Sequence, residues 1–95
     1  MVNKIEESVC KAYNITAHEL RNGGSKRLYS SARAITWYVL HYHFNWSANA
    51  IAKEYNRSDR GVKQMISNIK FQLRERDTKT KYEIVCEDIK KTAEL

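Results

Sequence analysis

Two serines and one asparagine do most to restrict what this chain can become. In the stretch Trp46 to Ile66, WSANAIAKEYNRSDRGVKQMI, Ser47 and Ser58 stand eleven positions apart with Asn56 between them. A serine hydroxyl accepts from the unpaired amides of a helix's first turn, and asparagine tolerates the left-handed backbone that ends one. The spacing therefore predicts a helix of about two turns, a tight corner, and a second helix. Trp46 can pack on Ile51 as a hydrophobic staple, and Ala52 is small enough for a close crossing. Ile51, Tyr55, Val62 and Met65 supply facing apolar groups, so residues 47–73 are expected to form a helix-turn-helix. Its second helix turns Val62, Ile66, Ile69 and Leu73 inward and leaves Arg60, Lys63, Gln64 and Ser67, with Phe71 beyond them, toward other faces.

The remainder follows the same helical logic. The chain has no proline and three glycines in 95 residues, too few turn residues for a sheet protein of this length. An all-α fold of about six helices is expected, as one domain over residues 1–95. Ile5, Val9 and Ala12 predict a helix from Lys4 to Tyr13. Thr16 with Glu19 forms a capping box for a short second helix, stapled by Ile15 and Leu20, and Gly23-Gly24 are expected to end it in left-handed geometry. From Leu28 to Phe44 a central helix places Ala32, Ile35, Val39 and Tyr42 on one inward face, broadened by Ala34, Trp37 and Tyr38. A last helix is predicted to start at a second capping box, Thr80 with Glu83, and to bury Tyr82, Val85, Cys86 and Ile89 up to Ala93. Glu6-Glu7 and Glu87-Asp88 read as solvated faces.

Charge narrows the partners. The net +6 is −1 over residues 1–20, +8 over 21–76 and −1 over 77–95, so the excess belongs to the middle segment. That distribution suits a surface for a polyanion, and equally a solvated basic face. No apolar run reaches the length of a membrane span, and MVNKIEESVC lacks a secretory layout, which predicts a cytoplasmic protein with reduced Cys10 and Cys86. His41 and His43 point to nearly opposite sides of their helix, and His18 is remote, so neither a metal nor another cofactor is expected. Gly23-Gly24 lacks the strand and Lys-Thr of a phosphate loop, and no carboxylate pair is placed for acid-base chemistry. Neither enzymatic activity nor a small-molecule substrate is expected. Gly61, in a first helical turn, has two readings: backbone approach to a groove wall, or tolerance where the amides are unpaired in any case.

The succession IEESVCKAYNITAHEL, SKRLYSSARAITWYVL and NWSANAIAKEYNRSDRGVKQMISNIK resembles the C-terminal DNA-binding domain of the bacterial replication initiator DnaA, over residues 4 to 92. That resemblance implies a Trp-repressor-like fold, double-stranded DNA as partner, and room for replication or regulatory proteins as further partners. The family's Gly-Gly-Arg-Asp-His-Thr-Thr-Val motif corresponds to Asn56-Arg57-Ser58-Asp59-Arg60-Gly61-Val62, one residue shorter in the turn. Arg57 and Val62 match it, Ser58 replaces the aspartate as cap, and Asp59, Arg60 and Gly61 stand in place of His-Thr-Thr. Docking on DNA is expected to survive and base specificity to change, because the hydrogen-bonding groups differ.

The expected contacts follow. Arg60, Lys63 and Gln64 would meet base edges, while Ser47, Asn49, Lys53, Arg57 and Ser67 would hold phosphates. The resemblance adds Arg33 as a phosphate-facing residue, with a plain surface arginine as the other reading. It also implies a minor-groove arm, with Ser25 in the place of the family's arginine and Lys26 and Arg27 immediately after. Two rival functions remain: an interaction module using Trp37, Tyr38, Tyr42, Phe44, Trp46 and Phe71, and a dimeric Trp-repressor-like transcriptional regulator.

Overall fold

A computed structural model describes the backbone of residues 2–24 and 26–93 and the side chains of 4–24, 26–69, 71–76 and 78–89. Within it, six α-helices follow one another: α1 Val2–Tyr13, α2 Ala17–Asn22, α3 Arg27–His43, α4 Ala48–Tyr55, α5 Asp59–Gln72 and α6 Arg76–Ala93. No strand occurs among the described residues.

Asparagine does the work that glycine does in most chains. Among the described residues, those with positive φ are Asn14 (55°), Asn45 (59°) and Asn56 (53°), each just past a helix end. After α1 and α4 the next amide reaches back to close the helix: Ile15 N–H donates to the Cys10 carbonyl at 3.0 Å, and Arg57 N–H to that of Ala52 at 2.8 Å. These bonds satisfy carbonyls that a helix end otherwise leaves open. Because an alanine side chain is strained in this conformation and cannot bond locally, Asn56→Ala is expected to cost about 1 kcal/mol. Thermal melting followed by circular dichroism should show the midpoint fall by roughly 4–8 °C.

Gly23-Gly24 ends α2 differently from expectation. Gly23 is extended, with φ −65° and ψ 131°, and no glycine has positive φ. Its requirement is spatial: a Cβ there would collide with the Glu19 carbonyl oxygen and come 2.9 Å from the Tyr29 ring. The Thr16–Glu19 capping box forms in both directions, at 3.1 and 2.9 Å. Those bonds, with one from the Tyr29 hydroxyl, hold the Glu19 carboxyl below its usual range.

The central helix α3 packs against all five others. Its Ala32, Ile35, Val39 and Leu40 are buried, and burying a branched side chain of this size contributes about 1.5–3 kcal/mol. Tyr42 departs from the expected inward face. The buried stripe shifts to Leu40, and Tyr42 is left 51% exposed, stacked on Tyr38 with ring centroids 4.6 Å apart.

The last helix starts at Arg76 rather than at Thr80. The turn after α5 is short, so Lys79 N–H already bonds the Glu75 carbonyl at 3.0 Å. Thr80 is thereby placed inside the helix, its hydroxyl donating to the Arg76 carbonyl at 2.8 Å. Val85 is fully buried, while Tyr82, Cys86 and Ile89 are half-buried. α6 is also fastened to α1 by polar bonds: Ser8 Oγ to Asp88 at 2.5 Å, and Lys81 Nζ to the Ala12 carbonyl at 2.9 Å.

Candidate nucleic-acid interface

The helix-turn-helix is built by local chemistry at both ends of its corner. Ser47 Oγ accepts from Ala50 N–H and Ser58 Oγ from Gly61 N–H, each at 3.1 Å. Between them, Asn56 turns the chain at φ 53°, ψ 49°. Ile51, Ala52, Tyr55, Val62 and Ile66 are buried along the inner sides, and Met65 is half-buried. At about 100° per residue, positions 60, 63, 64 and 67 then span only about a 100° arc of α5. All four are exposed.

Asn68 joins this surface: it is exposed and stands one turn after Gln64. It was absent from the residues expected to touch DNA, although the inward stripe Val62, Ile66, Ile69 already leaves position 68 outside. Near the head of the helix, Lys63 Nζ lies 3.4 Å from Asp59 Oδ2, with the lysine side chain 68% exposed and the aspartate 41%. A pair in which the lysine is this exposed contributes little, so an acceptor in the groove can take Lys63 at small cost. Gly61 acquires a third explanation: a Cβ would stand 2.9 Å from Ser58 Oγ, the atom that caps the glycine's own amide.

Ser47, Asn49, Lys53 and Arg57 are exposed on α4 and in the corner that follows it. Arg57 Nη2 donates to the Arg21 carbonyl at 3.2 Å, tying the corner to α2. The basic loop lies at the start of α3, where Lys26 is the N-cap without a side-chain hydrogen bond and the first turn holds no acid. A cation at a helix N-terminus works against the helix dipole, whereas a phosphate there is favoured. Arg27, 78% exposed, pairs with Glu75 in the turn between α5 and α6. Ser25 lies outside the described residues.

Arg33 fits neither reading made of it. It is 5% exposed, and its guanidinium donates to the carbonyls of Leu20 (3.1 Å), Gly23 (2.8 Å) and Gly24 (2.9 Å). Burial, and then the nearby Arg57 charge, lower its pKa. These bonds hold the end of α2 and the loop onto α3, so the guanidinium is not presented to a phosphate.

Glu6 is also not on a solvated face. At 5% exposure, its carboxylate accepts from Arg21 at 2.8 and 3.1 Å and from the Tyr55 hydroxyl at 2.8 Å. Arg21 extends the cluster to Glu54 at 3.2 Å. Hydrogen bonding to Glu6 pushes the Arg21 pKa up; burial, then Glu6, pushes that of Tyr55 up. One buried carboxylate on α1 thus anchors the helix that leads into the corner. The aromatic residues of the rival interaction surface are mostly spent internally: Trp37 is 2% exposed, and Tyr38, Phe44 and Trp46 pack on the core half-buried. Tyr42 and Phe71 are the exposed members, at 51% and 65%.

Helices braced around α3, with a capped corner and a cationic outer face on the helix after it, define the helix-turn-helix class of DNA-binding domains. The family model "Bacterial dnaA protein helix-turn-helix" matches residues 2–69, and the chain belongs to that family. It is a DNA-binding domain of the replication-initiator type. No curated protein matches the chain in sequence. The match takes in α1 to α4 and most of α5, and leaves out α6, which packs on α1. No helix among the described residues is long and apolar enough to cross a membrane.

Proposed function

We propose that the protein binds double-stranded DNA by inserting α5 into the major groove, reads a sequence different from the family's usual site, and acts by binding rather than by catalysis. The observation that carries this reading is the joint exposure of Arg60, Lys63, Gln64 and Ser67 on one arc of α5, with Asp59 the sole acid in that helix. Arg60 and Lys63 suit the acceptors of guanine, and Gln64 and Asn68 the donor-acceptor pair of adenine. Ser47, Asn49, Lys53, Arg57 and Ser67 hold the flanking phosphates, and Lys26 with Arg27 supplies the arm. The altered preference rests on Asp59, Arg60 and Gly61, which offer groove atoms a carboxylate, a guanidinium and bare backbone.

Selection from a random duplex pool tests this directly. The wild-type protein is expected to enrich a defined motif, and Arg60→Ala to lose about ten- to a hundredfold in affinity while relaxing one position of that motif. A pool that returns without enrichment would overturn the reading in favour of a protein-interaction module.

A further inference from the structure

Among the described residues, the indole of Trp37 is a buried side-chain donor beside α5 that no protein group satisfies. Trp37 is 2% exposed, and its Nε1 has no hydrogen-bond partner. Buried donors without partners are rare in folded proteins, and each calls for a physical explanation. The ring itself is held in place: it meets Tyr55 edge to face at 5.6 Å, and Tyr55 is anchored on Glu6.

Trp37 also lines an open recess of about 320 Å³ between α3 and the head of α5. Met65 completes the apolar part, and Arg57, Ser58, Gln64 and Asn68 form the polar part. Every one of these polar side chains can donate a hydrogen bond, and none is an acid. Ser58 Oγ accepts from the Gly61 amide, which leaves its own proton available. Gly61, which has no side chain to fill space, lies on the wall. The recess opens at the N-terminus of a 14-residue helix, where the backbone also favours negative charge.

From these features we infer that the recess accepts a phosphate oxygen and that the Trp37 indole N–H, closed to solvent in the free protein, becomes its donor when the neighbouring Met65 or Gln64 side chain shifts aside. The source is the DNA backbone: Gln64 belongs both to the recess and to the outward arc of α5, so a strand bordering the groove entered by α5 passes over the opening. This assignment rests on the DNA-binding reading above and adds a contact that the surface cations do not supply. An indole N–H carries no charge, so it selects by position and distance rather than by long-range attraction.

The experiment follows the two indole N–H resonances of the ¹⁵N-labelled protein, with Trp46→Phe identifying that of Trp37. The Trp37 proton is expected to move downfield on binding duplex and to stay in place with millimolar inorganic phosphate. A shift with inorganic phosphate as well supports the recess as an anion site and identifies free phosphate as a second source. Duplex binding that leaves the Trp37 resonance unmoved overturns the inference while leaving the DNA-binding reading intact.

A walk of single neutral methylphosphonates along the selected duplex gives an independent readout. One position should cost the wild type about tenfold in affinity and cost Trp37→Phe clearly less, since that variant lacks the indole donor while Arg57, Ser58, Gln64 and Asn68 keep theirs. Equal losses for both proteins at every position would overturn the inference. Should no duplex bind at all, the DNA-binding reading falls and the assignment of the DNA backbone to the recess falls with it, whereas duplex binding with an unmoved Trp37 resonance overturns the assignment alone.

Discussion

Raising salt from 50 to 200 mM is expected to weaken duplex binding by about a thousandfold. The expected footprint neutralises about six phosphates, each releasing condensed counterions, which gives a log-log slope near about −5. Six exposed cations serve such a footprint: Lys26, Arg27, Lys53 and Arg57 toward the backbone, and Arg60 and Lys63 in the groove, where their charge also displaces counterions. Two are held by carboxylates, Arg27 by Glu75 and Lys63 by Asp59, with the cations mostly solvated and the carboxylates under half exposed. Exchange of such a partner for a phosphate costs little, so neither pair should flatten the slope appreciably. Fluorescence anisotropy on the selected duplex across that salt range measures the slope. A flat response would remove the electrostatic basis of the proposed function.

Glu6→Ala is expected to cost about 3 kcal/mol of stability, near the lower end for breaking a buried charge pair. The side chain is 6% exposed and accepts three hydrogen bonds, two from Arg21 and one from Tyr55. Removing it leaves the Tyr55 hydroxyl without its acceptor in a buried site. Arg21 suffers less, because it is 31% exposed and keeps Glu54, and this is why the low end applies. For a chain of this length the melting midpoint should fall by about 12–24 °C. Denaturant titration of Glu6→Ala beside Glu54→Ala separates the buried contact from the exposed one. A loss under about 1 kcal/mol for both would show that the cluster does not brace α4.

The helix-turn-helix was legible in sequence because each of its signals acts over a few residues. Ser47 and Ser58 cap amides three positions ahead, and Asn56 turns within its own backbone. The Thr16–Glu19 box is equally local. Thr80–Glu83 carried the same pattern and failed, because the short turn after α5 restarts the helix at Arg76 and places Thr80 inside it. A capping pattern marks where a helix can begin, and the preceding turn decides whether it has begun already.

The sequence by itself determined the helical class, the corner at Asn56 and the outward arc of α5, since capping, left-handed asparagine and the 3.6-residue period need no knowledge of distant partners. Only the tertiary structure decided which charges are surface and which are frame. Glu6 lies 15 positions from Arg21 and 49 from Tyr55, yet their bonds to it bury it. Arg33 turns to three carbonyls of the α2–α3 connection instead of to phosphate. Trp37, expected to broaden an apolar face or to join an interaction surface, keeps an unpartnered donor beside the recess at the head of α5. The physical reason is common to all three: long-range pairing depends on which side chains the packed helices bring within about 3 Å, and that proximity is not encoded in local spacing.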